Sequence, residues 1–438
     1  GTYLGELAIY DKNGEMLELE AINNNAKLIL DEQDTVPEEI SFMNSTYFDE
    51  IYFARTAYEH LHNLPVYEWT HPPLGKLIMA IPMLIFGMTT FAYRLMGNIA
   101  GICMIPTMYI FAKMLFKETK YGVLAAIIMA ADGMHFVQSR LGTADGFLVL
   151  FIMLAYLFMY RYASSTKDDS LKKKLWSLFF SGLFMGLSIA TKWTGCFAAI
   201  GLAVIFFVNY LKSIFIDKNK LAKQDIIIVL SCVVFFVIVP IAIYVLSYIP
   251  FYILEDPYIT DIESFWDWQV QMFDYHHDLV ADHPYASKWY TWPISKQSVF
   301  YWSQNTSDGL ASRIALLGNP AIWWFSIPCI GYVVISAIKS RRWELGFIIA
   351  PIVAMMASYV GVERIMFLYH YFPVLPFVML CIVAFMKFLT EKTKTNAFIY
   401  VFVAIIVIVF EMFYPVYSGL ATTPEYLKSL QWLDTWKW

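Results

Sequence analysis

Charge and cysteine are what this 438-residue chain has least of. Asp, Glu, Lys and Arg make up 15% of it, against about a quarter of an average soluble domain. With 59% apolar residues, aromatics at 18% and a mean hydropathy of +0.54, the composition excludes a soluble globular protein and requires an all-α polytopic membrane protein. The five cysteines, Cys103, Cys196, Cys232, Cys329 and Cys381, all fall in apolar runs without a CxxC spacing. That excludes a disulfide framework or a thiolate metal site and leaves them as small packing residues. A basic surplus is also missing, since 31 Lys and Arg against 36 Asp and Glu give a net charge of -5; no nucleic-acid partner is expected. No convincing internal repeat is found, which argues against the repeat-built architecture of many transporters.

What is there is a series of apolar stretches, each measured against the roughly 20 helical residues that cross a hydrocarbon core of about 30 Å. Ten spans are predicted, at 91–112, 121–138, 143–160, 175–191, 194–211, 226–249, 319–338, 345–361, 365–386 and 397–415. The run 77–87 is too short to cross, carries Pro82, and reads as an interfacial helix. Every second connection is basic: Lys113, Lys117 and Lys120; Arg161, Lys167 and Lys172 to Lys174; Lys212, Lys218, Lys220 and Lys223; Lys339, Arg341 and Arg342; Lys387, Lys392 and Lys394. The positive-inside rule makes those loops cytoplasmic. The acidic N-terminal segment, the loop 250–318 and the C-terminal tail therefore face outward.

Before the first span, alternating apolar positions flank Asn13-Gly14, the pattern of a β-hairpin. A lone hairpin is marginal, so a larger β-domain is expected to precede it. In the loop 250–318, Phe265, Trp268, Met272 and Tyr275 or His276 recur at helical spacing and predict an amphipathic helix on the outer surface. Trp289, Trp292, Trp302, Trp323 and Trp324 read either as an interfacial aromatic belt or as platforms for sugar rings. His276, His277 and His283 do not have the spacing of a metal cluster and are assigned a structural role.

Four basic residues remain on the wrong side of the charge pattern, at or within the outer ends of spans: Arg94, Arg140, Lys192 and Arg364. A cation near hydrocarbon depth costs a few kcal/mol and pairs with something or lines a polar cavity. One alone could snorkel or pair locally, Arg364 with Glu363 and Arg140 with Asp145. Four on one leaflet suit a phosphate or pyrophosphate headgroup whose lipid tail stays in the bilayer. On the same outer side Asp49 and Glu50 stand together. A transferase using a lipid-phosphate sugar needs one base for the acceptor hydroxyl and cations for the departing phosphate, which leaves without being protonated. A glycosidase, by contrast, needs a second carboxyl as acid. Neighbouring residues point in different directions, so one acid is expected to take the proton and the other to hold local structure or a sugar hydroxyl. Asp132 and His135 are expected to hydrogen-bond each other and position Arg140. His370 reads equally as a substrate contact or as a satisfied buried histidine.

The segments "FDEIYFARTAYEHL", "WTHPPLGK", "AYRLMG", "ADGMHFVQSRLGTADGF", "TKWTG", "HPYASKWYTWP" and "LYHYFPVLPF" occur in that order from residue 48 onward. Together they resemble the protein O-mannosyltransferase family, specifically its bacterial members. The resemblance implies a GT-C glycosyltransferase fold of about ten transmembrane helices with a small β-rich N-terminal remnant. It implies mannose transfer, with inversion, from polyprenyl (dolichyl) phosphate mannose to Ser or Thr of proteins crossing the membrane, with no metal and no cofactor beyond the lipid-linked sugar. By position, Asp49 matches the proposed base with Glu50 beside it, His71 to Lys76 a segment facing the active site, and Arg94, Asp132, Ser139, Arg140 and Asp145 further family elements. His71, Arg94, Asp132, Arg140, Asp145, Lys192, Arg364 and His370 are the expected donor-binding set.

The expected organisation is a β-rich extracytoplasmic tail of an upstream domain over 1–46, a catalytic loop with interfacial helix over 47–90, and a first transmembrane bundle over 91–249. An external loop with amphipathic helix follows over 250–318, then a second bundle over 319–415 and an outer tail over 416–438. The loop 250–318 is too short for the β-trefoil domain that eukaryotic members carry there, which favours a bacterial-type enzyme in the plasma membrane. Family members also begin with a helix before the acidic pair that is not visible here, so a preceding segment is expected. The alternatives are a related transferase acting on a lipid or cell-wall polymer, separable by product analysis, and a transporter, which would show broken helices at the midplane.

Overall fold

In hydrocarbon a backbone can satisfy its own polar groups only along a helix or within a closed barrel, and this chain takes the first solution. The computed structural model describes residues 7–438 apart from 14, 28, 31–32, 34–35, 37–39, 167 and 216–222. Gly14 of the expected turn and Lys167, Lys218 and Lys220 of the basic loops lie outside the described residues. The chain divides into two units, 1–47 and 48–438.

In the first unit, β1 (Ile9–Tyr10) pairs antiparallel with β2 (Met16–Leu17). The Asp11 carboxylate ties the connection by accepting the backbone N–H groups of Asn13 at 2.8 Å and Glu15 at 2.9 Å. The expected hairpin is present, with two residues to a strand.

The second unit opens with α1 (Glu50–Leu61) and α2 (Leu74–Phe86). The latter is the expected short helix. Lys76, Met79, Ala80 and Met83 are buried, while Ile81, Leu84 and Ile85 are exposed on its other face, as an interfacial helix requires. Among the described residues eight helices are long and apolar enough to cross a membrane, or nine if one bent pair counts as a span. Those before the external loop are α3 (Thr90–Phe116), α6 (Asp145–Ala163), α7 (Leu171–Thr191), α8 (Thr194–Phe215) and α9 (Gln224–Ser247). Those after it are α11 (Pro320–Ser340), α12 (Trp343–Ser358) and α14 (Ala397–Ser418).

Two predicted spans need correction. The stretch 121–138 is a broken pair, α4 (Thr119–Ala130) and α5 (Gly133–Ser139), bent by 64°. The stretch 365–386 holds a single 3-10 turn at Leu368–Tyr371 and is α-helical only from α13 (Leu375–Thr393) onward. A start at 365 would have put Pro373 and Pro376 in a helix interior, where proline removes a hydrogen bond and clashes; with the start at 375, Pro376 sits in the first turn, where its missing N–H costs nothing. Residues 375–384 of α13 are all buried, so it runs through the centre of the bundle, and its last turns carry Lys387, Glu391 and Lys392.

The helix ends sort the charges. α3, α6, α8, α11 and α13 finish with Lys113, Arg161, Lys212, Lys339 and Lys392 in their last turns. α7 starts beside Lys172 to Lys174, and α12 follows Arg341 and Arg342. One end of the bundle is therefore basic. The other end carries α1, α2 and the external loop, in which α10 (Ile262–Asp278) is the expected amphipathic helix with Phe265 and Met272 buried. A hairpin in the same loop, β3 (Val299–Asn305) against β4 (Ala311–Leu316), was not anticipated. Its strands hold Trp302, which the sequence alone presents as an anchoring or sugar-stacking aromatic, and its turn carries Gly309 at φ 81, a conformation that suits glycine.

Candidate active site

Asp49 occupies the N-cap position of α1 with helical backbone angles and makes no capping hydrogen bond through its side chain. Its orientation comes instead from the residue before it. Phe48 has φ 53, costly for a bulky residue. Its ring stacks on Tyr301 of β3 with centroids 3.8 Å apart and packs edge-on against Tyr369 at 6.2 Å. The Tyr301 hydroxyl in turn donates to Gln138 Oε1 at 3.0 Å. The unanticipated hairpin thus props the strained residue that aims Asp49.

The neighbouring acid goes elsewhere. Glu50 is fully buried and accepts Arg94 Nε at 2.7 Å and Nη2 at 2.6 Å, together with the Gly142 N–H at 2.8 Å. This fork ties α1 to α3 and to the turn before α6. Arg94, expected on the donor phosphate, is therefore engaged by Glu50.

A third acid shapes the entrance. The Glu68 carboxylate accepts from Lys76 Nζ and contacts His71 Nδ1 at 2.9 Å, and Lys76 also donates to the Glu68 and His71 carbonyls at 2.7 and 2.9 Å. Burial alone would push Glu68 up, but Lys76 and His71 beside it hold it well below the usual carboxylate range. Because a carboxylate only accepts, His71 Nδ1 carries its proton. Lys76 is fully buried, which no sequence argument singles out beyond its place in the HPPLGK segment.

These elements enclose a cleft of about 160 Å³ lined by Asp49, Phe53, Thr70, His71, Asp145, Lys192, Tyr275, His276, Arg364, Phe367, Tyr369 and His370, among others. Six of the ten predicted site residues meet there: Asp49, His71, Asp145, Lys192, Arg364 and His370. Lys192, just past the end of α7, donates to Asp145 Oδ1 at the start of α6 at 2.9 Å. Arg364 Nη1 meets His276 Nδ1 at 2.7 Å, and among the described residues it makes no salt bridge to Glu363, the local partner that the sequence offered as an alternative. Burial lifts the Asp49 carboxyl from 3.8 to about 6, with Lys192 opposing and Asp145 and Glu68 reinforcing. A carboxylate in that range is poised to accept a proton near neutrality.

Glu50, Arg94, Asp132 and Arg140 do not line the cleft. Asp132 caps α5, accepting the His135 backbone N–H at 3.0 Å rather than bonding its ring, and it also accepts Trp323 Nε1 at 2.7 Å and the Asn319 N–H at 3.2 Å. It seals the broken helix against α11. Arg140 Nη1 donates to the Ser418 carbonyl at 2.6 Å, at the end of α14 where a cation meets the negative pole of the helix dipole. Trp292 and Trp323 are buried rather than belted, the first stacked on His370 at 5.9 Å. Tyr275, His276 and Tyr369 are among the cleft residues that sequence reasoning missed; the helical spacing of the 262–278 segment carried the only signal for the first two.

A buried carboxyl shares a cleft with Lys192 and Arg364 at one end of a polytopic helical bundle, and the fold is that of the membrane-embedded GT-C glycosyltransferases. The Saccharomyces cerevisiae protein O-mannosyltransferase Pmt1-Pmt2 complex, solved bound to the sugar donor, has that fold and matches with a TM-score of 0.78 over 90% of each chain at 15% identity. Residues 37–253 match the family model described as dolichyl-phosphate-mannose-protein mannosyltransferase, and residues 261–436 match the C-terminal four TMM region of protein-O-mannosyltransferase. The polyprenol-phosphate-mannose–protein mannosyltransferase of Mycolicibacterium smegmatis is 24% identical, covering 89% of this chain and 87% of its own. That of Corynebacterium glutamicum is 26% identical over 84% and 81%. The chain belongs to the protein O-mannosyltransferase family and is of its bacterial type.

Proposed function

We propose that this protein transfers mannose from a polyprenyl (dolichyl) phosphate to Ser or Thr hydroxyls of proteins, with inversion at the anomeric carbon. Asp49 takes the acceptor hydroxyl proton as its oxygen forms the new bond to the sugar. The bond from the anomeric carbon to the phosphate oxygen breaks, and its electron pair leaves on the lipid phosphate. Arg364, with Lys192 behind it, meets the charge that develops there. The observation that carries this reading is a carboxylate with no described hydrogen bond, opening into the same cleft as a guanidinium with no described carboxylate partner. The names of the bacterial relatives supply the sugar and the acceptor class.

The cleft lies at the end of the bundle opposite the basic helix ends, which the positive-inside rule assigns to the outside of a bacterial plasma membrane. The chemistry is proposed to be metal-independent, the protein's own cations answering the phosphate. The test is transfer of labelled mannose from polyprenyl phosphate mannose to a Ser/Thr-containing peptide by purified protein. Label on the peptide with wild type, and none with Asp49→Asn, is the expected result. Label appearing only on a lipid or polymer acceptor would replace this reading with that of a related transferase.

A further inference from the structure

Arg364 lies between α12 and α13, in a stretch with no long helix to hold it. Four other buried or half-buried cations at this end have firm partners: Arg94 has Glu50, Lys76 has Glu68, Lys192 has Asp145, and Arg140 has the carbonyls closing α14. Arg364 has one described hydrogen bond, from Nη1 to His276 Nδ1 at 2.7 Å. The other ring nitrogen, Nε2, lies 2.7 Å from the Thr70 carbonyl oxygen.

A guanidinium can only donate and a carbonyl can only accept, so Nδ1 must carry a lone pair and Nε2 the hydrogen. One tautomer of the neutral imidazole satisfies both contacts, and the imidazolium satisfies only one. Burial, with the charges of His71, Arg364 and Lys192 around the ring, lowers its pKa to about 4, which keeps it in that form. The ring also packs edge-on against His71 at 5.3 Å and against Trp193 at 6.4 Å. Its helix, α10, is anchored by the buried Phe265 and Met272.

We infer that His276 is the positioning residue of Arg364: it fixes the guanidinium in the cleft by accepting one N–H, while its own N–H is held by the Thr70 carbonyl. This rests on the reading of Arg364 as the group that meets the donor phosphate. The choice of imidazole has a physical logic. A carboxylate at this position would orient the guanidinium but also neutralise it and compete with the phosphate. A neutral ring orients the group and leaves its charge and remaining donors for the substrate. His276 also joins the Thr70 turn, itself organised by Glu68, to the segment that bears Arg364, so α10 works as a brace across the cleft rather than as a membrane anchor alone.

The experiment measures initial rates with the lipid donor varied and acceptor peptide saturating. His276→Phe keeps a ring in place and removes both contacts; it should lower kcat/KM for the donor by roughly tenfold, the scale of one hydrogen bond to a charged group, shared between a raised donor KM and a lowered kcat. His276→Gln, whose amide supplies an acceptor and a donor, should recover most of the loss, which a purely packing role would not produce. His276→Asn, too short to reach both partners, substitutes for the Phe variant if the latter does not fold. Added to Arg364→Gln, the Phe change should have almost no further effect. If Arg364→Gln lowers kcat/KM for the donor and His276→Phe does not, the positioning role is overturned and the phosphate role of Arg364 stands. If neither variant moves it, the reading of Arg364 fails first.

Discussion

Replacing Asp49 by Asn removes a charge and a proton-accepting site while conserving shape. Because burial lifts this carboxyl from 3.8 to about 6, the folded protein binds its proton more tightly than the unfolded chain does. Its contribution therefore favours folding as pH falls towards 4 and opposes folding at neutral pH. The opposition is on the order of 3 kcal/mol at pH 7, because each tenfold change in proton affinity between the folded and unfolded states is worth about 1.4 kcal/mol. Asn cannot ionise, so Asp49→Asn should unfold in detergent at the same or a higher temperature than wild type, while turnover drops by roughly 10²–10⁴. The same pKa sets the acid limb of wild-type kcat/KM. A group titrating at about 6 is about nine tenths ionised at pH 7 and about one tenth at pH 5, a fall of about tenfold over that interval with a plateau above it. The paired assay is a thermal melt beside a radiolabel transfer rate, each taken from pH 5 to 8. A variant that turns over within tenfold of wild type, or that melts earlier than wild type, would refute the assignment of an unpaired, desolvated base.

Glu50→Ala strips Arg94 of its bidentate partner in a buried setting and should cost roughly 3–5 kcal/mol, seen as a lower melting temperature with or without donor; an unchanged melt would remove Glu50 as the tie between α1 and α3. Arg140→Gln should leave the donor KM unchanged and cost about 1–2 kcal/mol of stability through the end of α14; a raised KM would return Arg140 to the donor site. Dialysis against EDTA should leave the transfer rate as it was, and a loss restored by Mg²⁺ or Mn²⁺ would show that a cation supplies the charge assigned to Arg364 and Lys192.

The membrane architecture was legible because it follows from quantities that add along the chain: apolar length, and the sign of charge at each turn. The two misplaced boundaries were legible in principle, since Pro373 and Pro376 cannot sit in a helix interior, so α13 starts after the first and takes the second in its first turn, and Asp132-Gly133 caps α5. The roles of the cations were not. Arg94, Arg140 and Arg364 look alike in sequence, because the cost of burying a cation says only that each needs a partner, not which one. Those partners came from tertiary contacts, with Glu50 44 residues away, Ser418 278 away and His276 88 away. In sequence His276 reads as part of an amphipathic face or, with the wrong spacing, as a metal ligand, and neither reading reaches its contacts across the cleft. β3 was hidden because Val299, Phe300, Tyr301 and Trp302 are all apolar or aromatic, so the alternation of its two faces does not show in the sequence.

The charges at this end of the bundle also separate structure from chemistry. Glu50 with Arg94 and Glu68 with Lys76 cancel and tie segments together away from the reacting groups, while Asp145 with Lys192 lines the cleft itself. Asp49 and Arg364 form no ion pair with each other among the described residues, although both line the same cleft. Contact between them would have lowered the Asp49 pKa and satisfied the guanidinium, leaving neither with work to do on a substrate. Held apart, each would be completed by the proposed reaction: the phosphate would supply the anion that Arg364 lacks, and the acceptor proton would discharge the carboxylate that burial has made costly. Both interactions strengthen as the bond to the sugar changes hands, which is the condition under which binding energy lowers a barrier instead of merely holding the substrate.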